Sequence, residues 1–157
     1  MQETVSQIED QILAALAVVD YAKRIDTYQG QLTQATLDEI VTRLAVDFPA
    51  ILVVYLGSRL NEDPTYLYND AQVWGVFVAA RNLRSEKEAR RGGAGGIGTY
   101  QMIEDVKNIL TGNSLGFVIQ PLSLKAVDSI LIEDGLSVYG LTFETAIDYQ
   151  AAVQPGP

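Results

Sequence analysis

Chemistry-bearing residues are densest at positions 81–98 of this 157-residue chain. Gly93-x-Gly95-x-x-Gly98 has the spacing of a dinucleotide-binding turn, where glycines let backbone approach a pyrophosphate at a helix N-terminus. That chemistry needs a strand directly ahead of the turn. Here the preceding residues, Arg84, Ser85, Glu86, Lys87, Glu88, Ala89, Arg90 and Arg91, do not read as one. No Lys-Ser/Thr pair follows Gly98, so a phosphate-cradling P-loop is not spelled either. Gly92, Gly93, Gly95, Gly96 and Gly98 are five glycines in seven residues, and their simplest reading is a flexible hinge.

Five acidic pairs offer the other candidate chemistry: Glu9/Asp10, Asp38/Glu39, Glu62/Asp63, Glu104/Asp105 and Glu133/Asp134. Sequence neighbours point to different faces of a helix or strand, so adjacency does not build a shared carboxylate site. Most of these pairs read as solvated turns or as early helix turns, where negative charge suits the dipole. The chain has no histidine and no cysteine. The commonest general base and metal ligand are therefore missing, and a Ser-His-Asp triad, a thiolate zinc site or a disulfide cannot be built. The expectation is a protein that is not an enzyme, with no cofactor and no metal site.

Charge placement is a further signal. Arg81, Arg84, Lys87, Arg90 and Arg91 are five of only 11 basic residues, in a chain of net charge -9. Such a run has three readings: a solvated loop of mixed charge, a contact with an acidic patch on a neighbouring copy, or a contact with passing nucleic acid. No aromatic residue interleaves it, which weakens single-strand stacking. An acidic chain whose longest apolar run is 50–56 is not expected at a membrane.

Several elements must position these residues. Val5, Ile8, Ile12, Leu16 and Val19 recur at helical spacing, with Thr4 or Ser6 as the cap. Residues 22–28 alternate weakly as a strand. Leu37, Ile40, Val41 and Leu44 predict a second helix over about 33–44, ended by Phe48-Pro49. Residues 50–56 are β-branched and apolar on both faces, which predicts a central strand. After a turn at 61–64, Val73, Gly75, Phe77 and Ala79 alternate with Trp74, Val76, Val78 and Ala80, predicting an antiparallel partner. Residues 82–98 read as a long mobile loop. Met102, Ile103, Val106, Ile109 and Leu110 predict a helix over 99–110. Asp134-Gly135, between strand-like runs at 127–132 and 136–145, is a hairpin signal. The fold class predicted is α+β: one largely antiparallel β-sheet with about three helices packed on it and a long flexible Arg/Gly loop. One domain is expected over 1–150, with 151–157 a disordered tail.

The order and spacing of several motifs carry a resemblance. These are Ser6-x-x-Glu9-Asp10-x-Ile12-Leu13, Tyr28-x-Gly30-x-Leu32, Phe48-Pro49-Ala50, the Arg/Gly segment ending in Gly98-x-Tyr100, Met102-Ile103-Glu104-Asp105-Val106, Gln120-Pro121-Leu122 and Leu136-Ser137-Val138-Tyr139-Gly140-Leu141-x-Phe143. Over residues 5–149 the chain resembles the Mu-like bacteriophage tail protein family, of the tail-terminator (tail completion) class. The resemblance implies a non-catalytic subunit that assembles into a ring, a hexamer in that class. The ring caps a contractile tail tube, ends its polymerisation and joins it to the neck. It implies as partners other copies of the chain, the tube protein, the sheath and the neck or head-connector protein. Genomic DNA would pass through the lumen without specific recognition. It places the protein at the tail–neck junction of a virion, made in the host cytoplasm. On this reading Arg81, Arg84, Lys87, Arg90 and Arg91 are oligomer or tube contacts, and the glycines at 92–98 are the hinge that orders on assembly. Two alternatives stay open: another neck, connector or baseplate protein of the same fold, and a small carboxylate- or nucleotide-dependent enzyme.

Overall fold

Residues 67–81 are apolar on both faces through their second half, and such a strand must be covered on both sides. In the computed structural model, which describes residues 4–27, 48–62, 67–82, 86–92, 97–133 and 135–150, this run is the central strand β3 (Leu67–Arg81). It lies between β2 (Ala50–Glu62) and β5 (Leu136–Gln150). A short β1 (Arg24–Thr27) joins the outer side of β2, and β4 (Ser123–Glu133) joins the outer side of β5. The five-stranded order is β1-β2-β3-β5-β4. Among the described residues β1–β2 is parallel and the other three pairings are antiparallel.

One face of the sheet carries the helices. Trp74, Val76, Val78 and Ala80 of β3, Ile51 and Val53 of β2, and Leu141, Phe143 and Ile147 of β5 form the main core there. Helix α1 (Val5–Leu16) buries Ile8, Ile12 and Leu16 into it, the stripe expected of its spacing. Its start is a capping box on Thr4: the Gln7 amide donates to Thr4 Oγ1 (3.2 Å) and the Thr4 amide to Gln7 Oε1 (2.8 Å). Thr4, not Ser6, is thus the cap. Past α1, the Tyr21 hydroxyl donates to Asp105 Oδ2 (2.6 Å), which ties this segment to the helix at 99–110. The opposite face holds a smaller apolar cluster of Ala50, Leu52, Val54 and Phe77, continued by Ala79, Leu136 and Val138.

Phe77 explains two glycines. Its register partner is Gly140, where a Cβ would sit 2.9 Å from the Phe77 ring, and a Cβ on Gly75 would sit 3.1 Å from the same ring. Three irregularities then set which side chains share a face. The β2–β3 register shifts between Tyr55 and Gly57, and the β4–β5 register shifts between Leu124 and Ala126 and between Ser129 and Leu131. Each shift adds one residue to one strand, so two successive side chains fall on the same side.

The hairpin at Gly135 and the helix over 99–110 are where the sequence predicts them. Strands β4 and β5 are longer than predicted, because β5 pairs with β3 along its whole length. The 22–28 strand is observed as Arg24–Thr27, paired with residues 50–53. The turn predicted at 61–64 needs correction in its first half, since Asn61 and Glu62 extend β2 and pair with Asn69 and Tyr68 of β3. Its second half, the second helix predicted at 33–44 and the tail at 151–157 lie outside the described residues. The predicted loop over 82–98 needs correction, since Glu86–Arg91 is helical.

Two expectations follow. Gly140→Ala forces its methyl into the Phe77 ring and lowers stability by about 1–3 kcal/mol, read by chemical denaturation. Burial first, and the Asp105 hydrogen bond second, push the Tyr21 hydroxyl above its ordinary value of 10.0. A group raised in the folded state stabilises below its unfolded pKa and loses that contribution as pH rises. Stability therefore falls as pH climbs past about 10, and Tyr21→Phe, less stable at neutral pH, has a shallower alkaline decline.

Candidate assembly surface

The basic segment begins where β3 ends. Arg81 is the last residue of that strand and pairs with Leu136 at the start of β5. The Asn82 amide then donates to the Gly135 carbonyl (2.7 Å), which holds the chain against the β4–β5 hairpin. Helix α2 (Glu86–Arg91) follows, and Ala89, only 1% exposed, anchors it. Lys87 and Arg91 are four residues apart and both exposed, so they share one helix face. Arg90 is half-buried and lies close enough to favour ionisation of the Tyr139 hydroxyl. Burial, and then the neighbouring Tyr100 hydroxyl, outweigh it and raise that hydroxyl's pKa. The Tyr100 and Tyr139 rings meet edge to face at 6.0 Å.

Helix α3 (Thr99–Leu110) starts at Gly98. Gly98 is buried, and a Cβ there would collide with the backbone of Gly92 and Arg90, coming within 2.6 Å of the Arg90 carbonyl carbon. Close approach of two backbones requires this glycine; free rotation does not. Gly92, at φ +79°, ends α2 in the left-handed conformation that favours glycine. The two ends of the glycine run are thus packed structure. Arg84, Gly93, Gly95 and Gly96 lie outside the described residues. The element ahead of Gly98 is helix α2, so these glycines do not join a strand to a helix as a dinucleotide turn would. Thr99 Oγ1 and Ser137 Oγ, 2.8 Å apart and buried, lock the start of α3 onto β5.

The far end of the sheet has the opposite character. There Asn69 donates to Asp148 across β3–β5 (2.8 Å), and Glu144 borders a shallow groove of about 380 Å³ with Arg59, Leu56 and Val73. On the helix-bearing face, the buried Trp74 Nε1 donates to Gln72 Oε1 (3.1 Å), and Gln72 Nε2 donates to Asp70 Oδ2 (3.1 Å). The other Asp70 oxygen is buried without a hydrogen-bond partner among the described residues. This polar ladder was not among the sequence candidates. Its signal is the every-second-residue spacing of Asp70, Gln72 and Trp74 on one strand face, in a run that otherwise reads as core. Of the acidic pairs, Glu104 faces solvent beside Lys107 (3.4 Å), whereas Asp105 turns toward Tyr21 and Gln101. Among the described residues no cluster of acidic side chains is arranged to hold a metal.

A family model and a curated relative agree on one family. The family model described as "Bacteriophage Mu, Gp37" matches residues 4–148. The chain belongs to the bacteriophage Mu Gp37 family. A Haemophilus influenzae relative, "Mu-like prophage FluMu protein gp37", is 28% identical over 166 aligned residues, covering 100% of this chain and 73% of that protein. Among solved structures, a chain of the "Virion of native gene transfer agent (GTA) particle" has a similar fold. Its TM-score is 0.52 at 12% identity, over 90% of this chain and 92% of that one. The resemblance read over residues 5–149 is thus borne out as a Mu-like, tail-related phage family. In this Gp37-family chain the matched span takes in the basic end, the groove and the polar ladder.

Packing of Gly98 against the end of α2 is directly testable. Gly98→Ala separates α2 from α3 and exposes the Arg-rich segment, so limited trypsin digestion cleaves the variant near Arg90 and Arg91 faster than the parent. Equal cleavage rates would show that this close approach does not hold the segment in place.

Proposed function

We propose that this Gp37-family chain is a tail terminator of a virion. On this reading copies of it form a closed ring, a hexamer by class, that caps the tail tube, stops its growth and offers a surface to the neck. The observation that carries the reading is the family match over residues 4–148, which encloses the whole sheet apart from the last residues of β5. The fold likeness to a chain of a virion particle supports it. Partners on this reading are the tube protein, the sheath and the neck protein, and DNA crosses the lumen unread. The function is stoichiometric binding, and no catalytic step is assigned.

Ring closure needs heterologous contacts, in which one surface meets a different surface of the next copy. The molecule offers suitable asymmetry. Arg81, Lys87, Arg90 and Arg91 sit at one end of the central strands, and Asp70 and Asp148 sit toward the other. Along β3, Asp70 and Arg81 are about 37 Å apart at strand rise. In this proposal the basic end meets a neighbouring copy or the tube.

Native mass across protein and salt concentration tests the reading. The expected species is a discrete ring, near six copies of the 17.1 kDa chain, formed in solution or on addition of purified tail tubes. Bound rings also stop tube elongation in an in vitro polymerisation assay. A chain that stays monomeric, binds no tube and leaves elongation unchanged refutes the terminator role.

A further inference from the structure

The sheet has two outer edges, and each leaves backbone groups without a neighbouring strand. Short β1 covers β2 only along residues 50–53, so among the described residues 54–62 pair on one side alone, with β3. Among the described residues β4 likewise pairs with β5 alone. Unpaired N–H and C=O groups along an extended edge are a template for another strand. Both edges also expose apolar side chains: Leu56 at 47% and Leu60 at 58% on β2, and Val127 at 41% on β4.

The two edges are complementary in direction, face and charge. β2 and β5 run one way and β3 and β4 the other. A rotation about an axis along the strands keeps these directions, so β4 of one copy meets β2 of the next antiparallel. With Asp128 opposite Arg59, the faces of 127–132 and 55–60 agree throughout. Val127 and Leu60 both lie on the helix-bearing side, as do Ser129 and Ser58. Asp128 and Arg59 lie on the other side, as do Ile130 and Leu131 on β4 and Leu56 and Gly57 on β2. The bulge at Leu56 therefore stands opposite the bulge at Ile130. A slip of one residue mismatches every pair but one at the bulges, and a slip of two takes the bulges out of step. Arg59 and Asp128 are both exposed and have no ion-pair partner among the described residues.

We propose that neighbouring copies join by strand addition, β4 of one onto residues 54–62 of β2 in the next, with Asp128 facing Arg59 and Val127 facing Leu60. The contact is heterologous and repeats head to tail, as a closed ring requires. This inference rests on the ring reading above and specifies which surfaces make the ring.

The absence of cysteine makes disulfide trapping clean. Facing antiparallel side chains have Cβ atoms about 4.5–5.5 Å apart, within a small adjustment of disulfide reach. Single variants Ser58→Cys and Ser129→Cys are mixed under mild oxidation, in solution and on tail tubes. The expected result is a covalent dimer only in the mixture, and a ladder of linked copies from the double variant. Ser58→Cys mixed with Asp128→Cys, which face opposite sides of the sheet, gives none. Arg59→Asp or Asp128→Arg alone weakens assembly about three- to tenfold at low salt, and the two together restore it. Self-linking of Ser58→Cys alone overturns the proposal in favour of a two-fold β2–β2 dimer. Wild-type rings with no 58–129 link overturn this pairing and leave the ring reading standing. A wild-type chain that forms no assembly in solution or on tubes overturns both.

Discussion

Two-sided burial of β3 is the constraint on which the other elements depend. Trp74, Val76 and Val78 need helices over them, and Phe77 and Ala79 need cover on the opposite face. Trp74 brings a second demand, because a buried indole N–H without an acceptor costs the desolvation of a polar group. Gln72 meets that demand two residues earlier on the same face and passes its own donor to Asp70. Tyr55, tilted against the indole at 4.9 Å, closes the aromatic side. Phe77 in turn depends on Gly75 and Gly140 having no side chain.

A central strand built this way makes the molecule unequal in every direction. Helices α1 and α3 occupy one face of the sheet, held together by Tyr21 and Asp105 and to β5 by Thr99 and Ser137. Among the described residues the β2 edge is covered over four residues and open beyond them, while the β4 edge is bulged twice. Basic side chains gather where β3 ends, and carboxylates gather where it begins. Such inequality suits head-to-tail association, in which each copy must offer two different surfaces.

The segment over 82–98 shows how composition and tertiary context divide. Its glycines and charges read locally as a solvated hinge, and nothing in that run has helical apolar periodicity. In the structure the buried residue of this six-residue helix, among the described side chains, is the small Ala89, and Gly98 lets the α3 start approach the helix closely. A single buried alanine carries no periodic signal, so no pattern at that length would reveal the contact. The same glycine that spells a dinucleotide motif is thereby used for packing between two helices.

The sequence by itself determined the α+β class, the family and the described elements other than the helix at Glu86–Arg91, because these rest on local periodicity and on the order of short motifs. Ile8, Ile12 and Leu16 at helical spacing, the alternation from Val73 to Ala80, and Asp134-Gly135 between two strands each report a constraint felt within a few residues. The lack of histidine and cysteine likewise narrowed the chemistry before any folding was considered. Only the tertiary structure decided that β1 pairs parallel to β2, that Asp70, Gln72 and Trp74 form one hydrogen-bonded ladder, and that bulges put Leu56 and Leu131 on the face away from the helices. Register, bulges and edges depend on which strand lies alongside, and residues far apart in the chain settle that together.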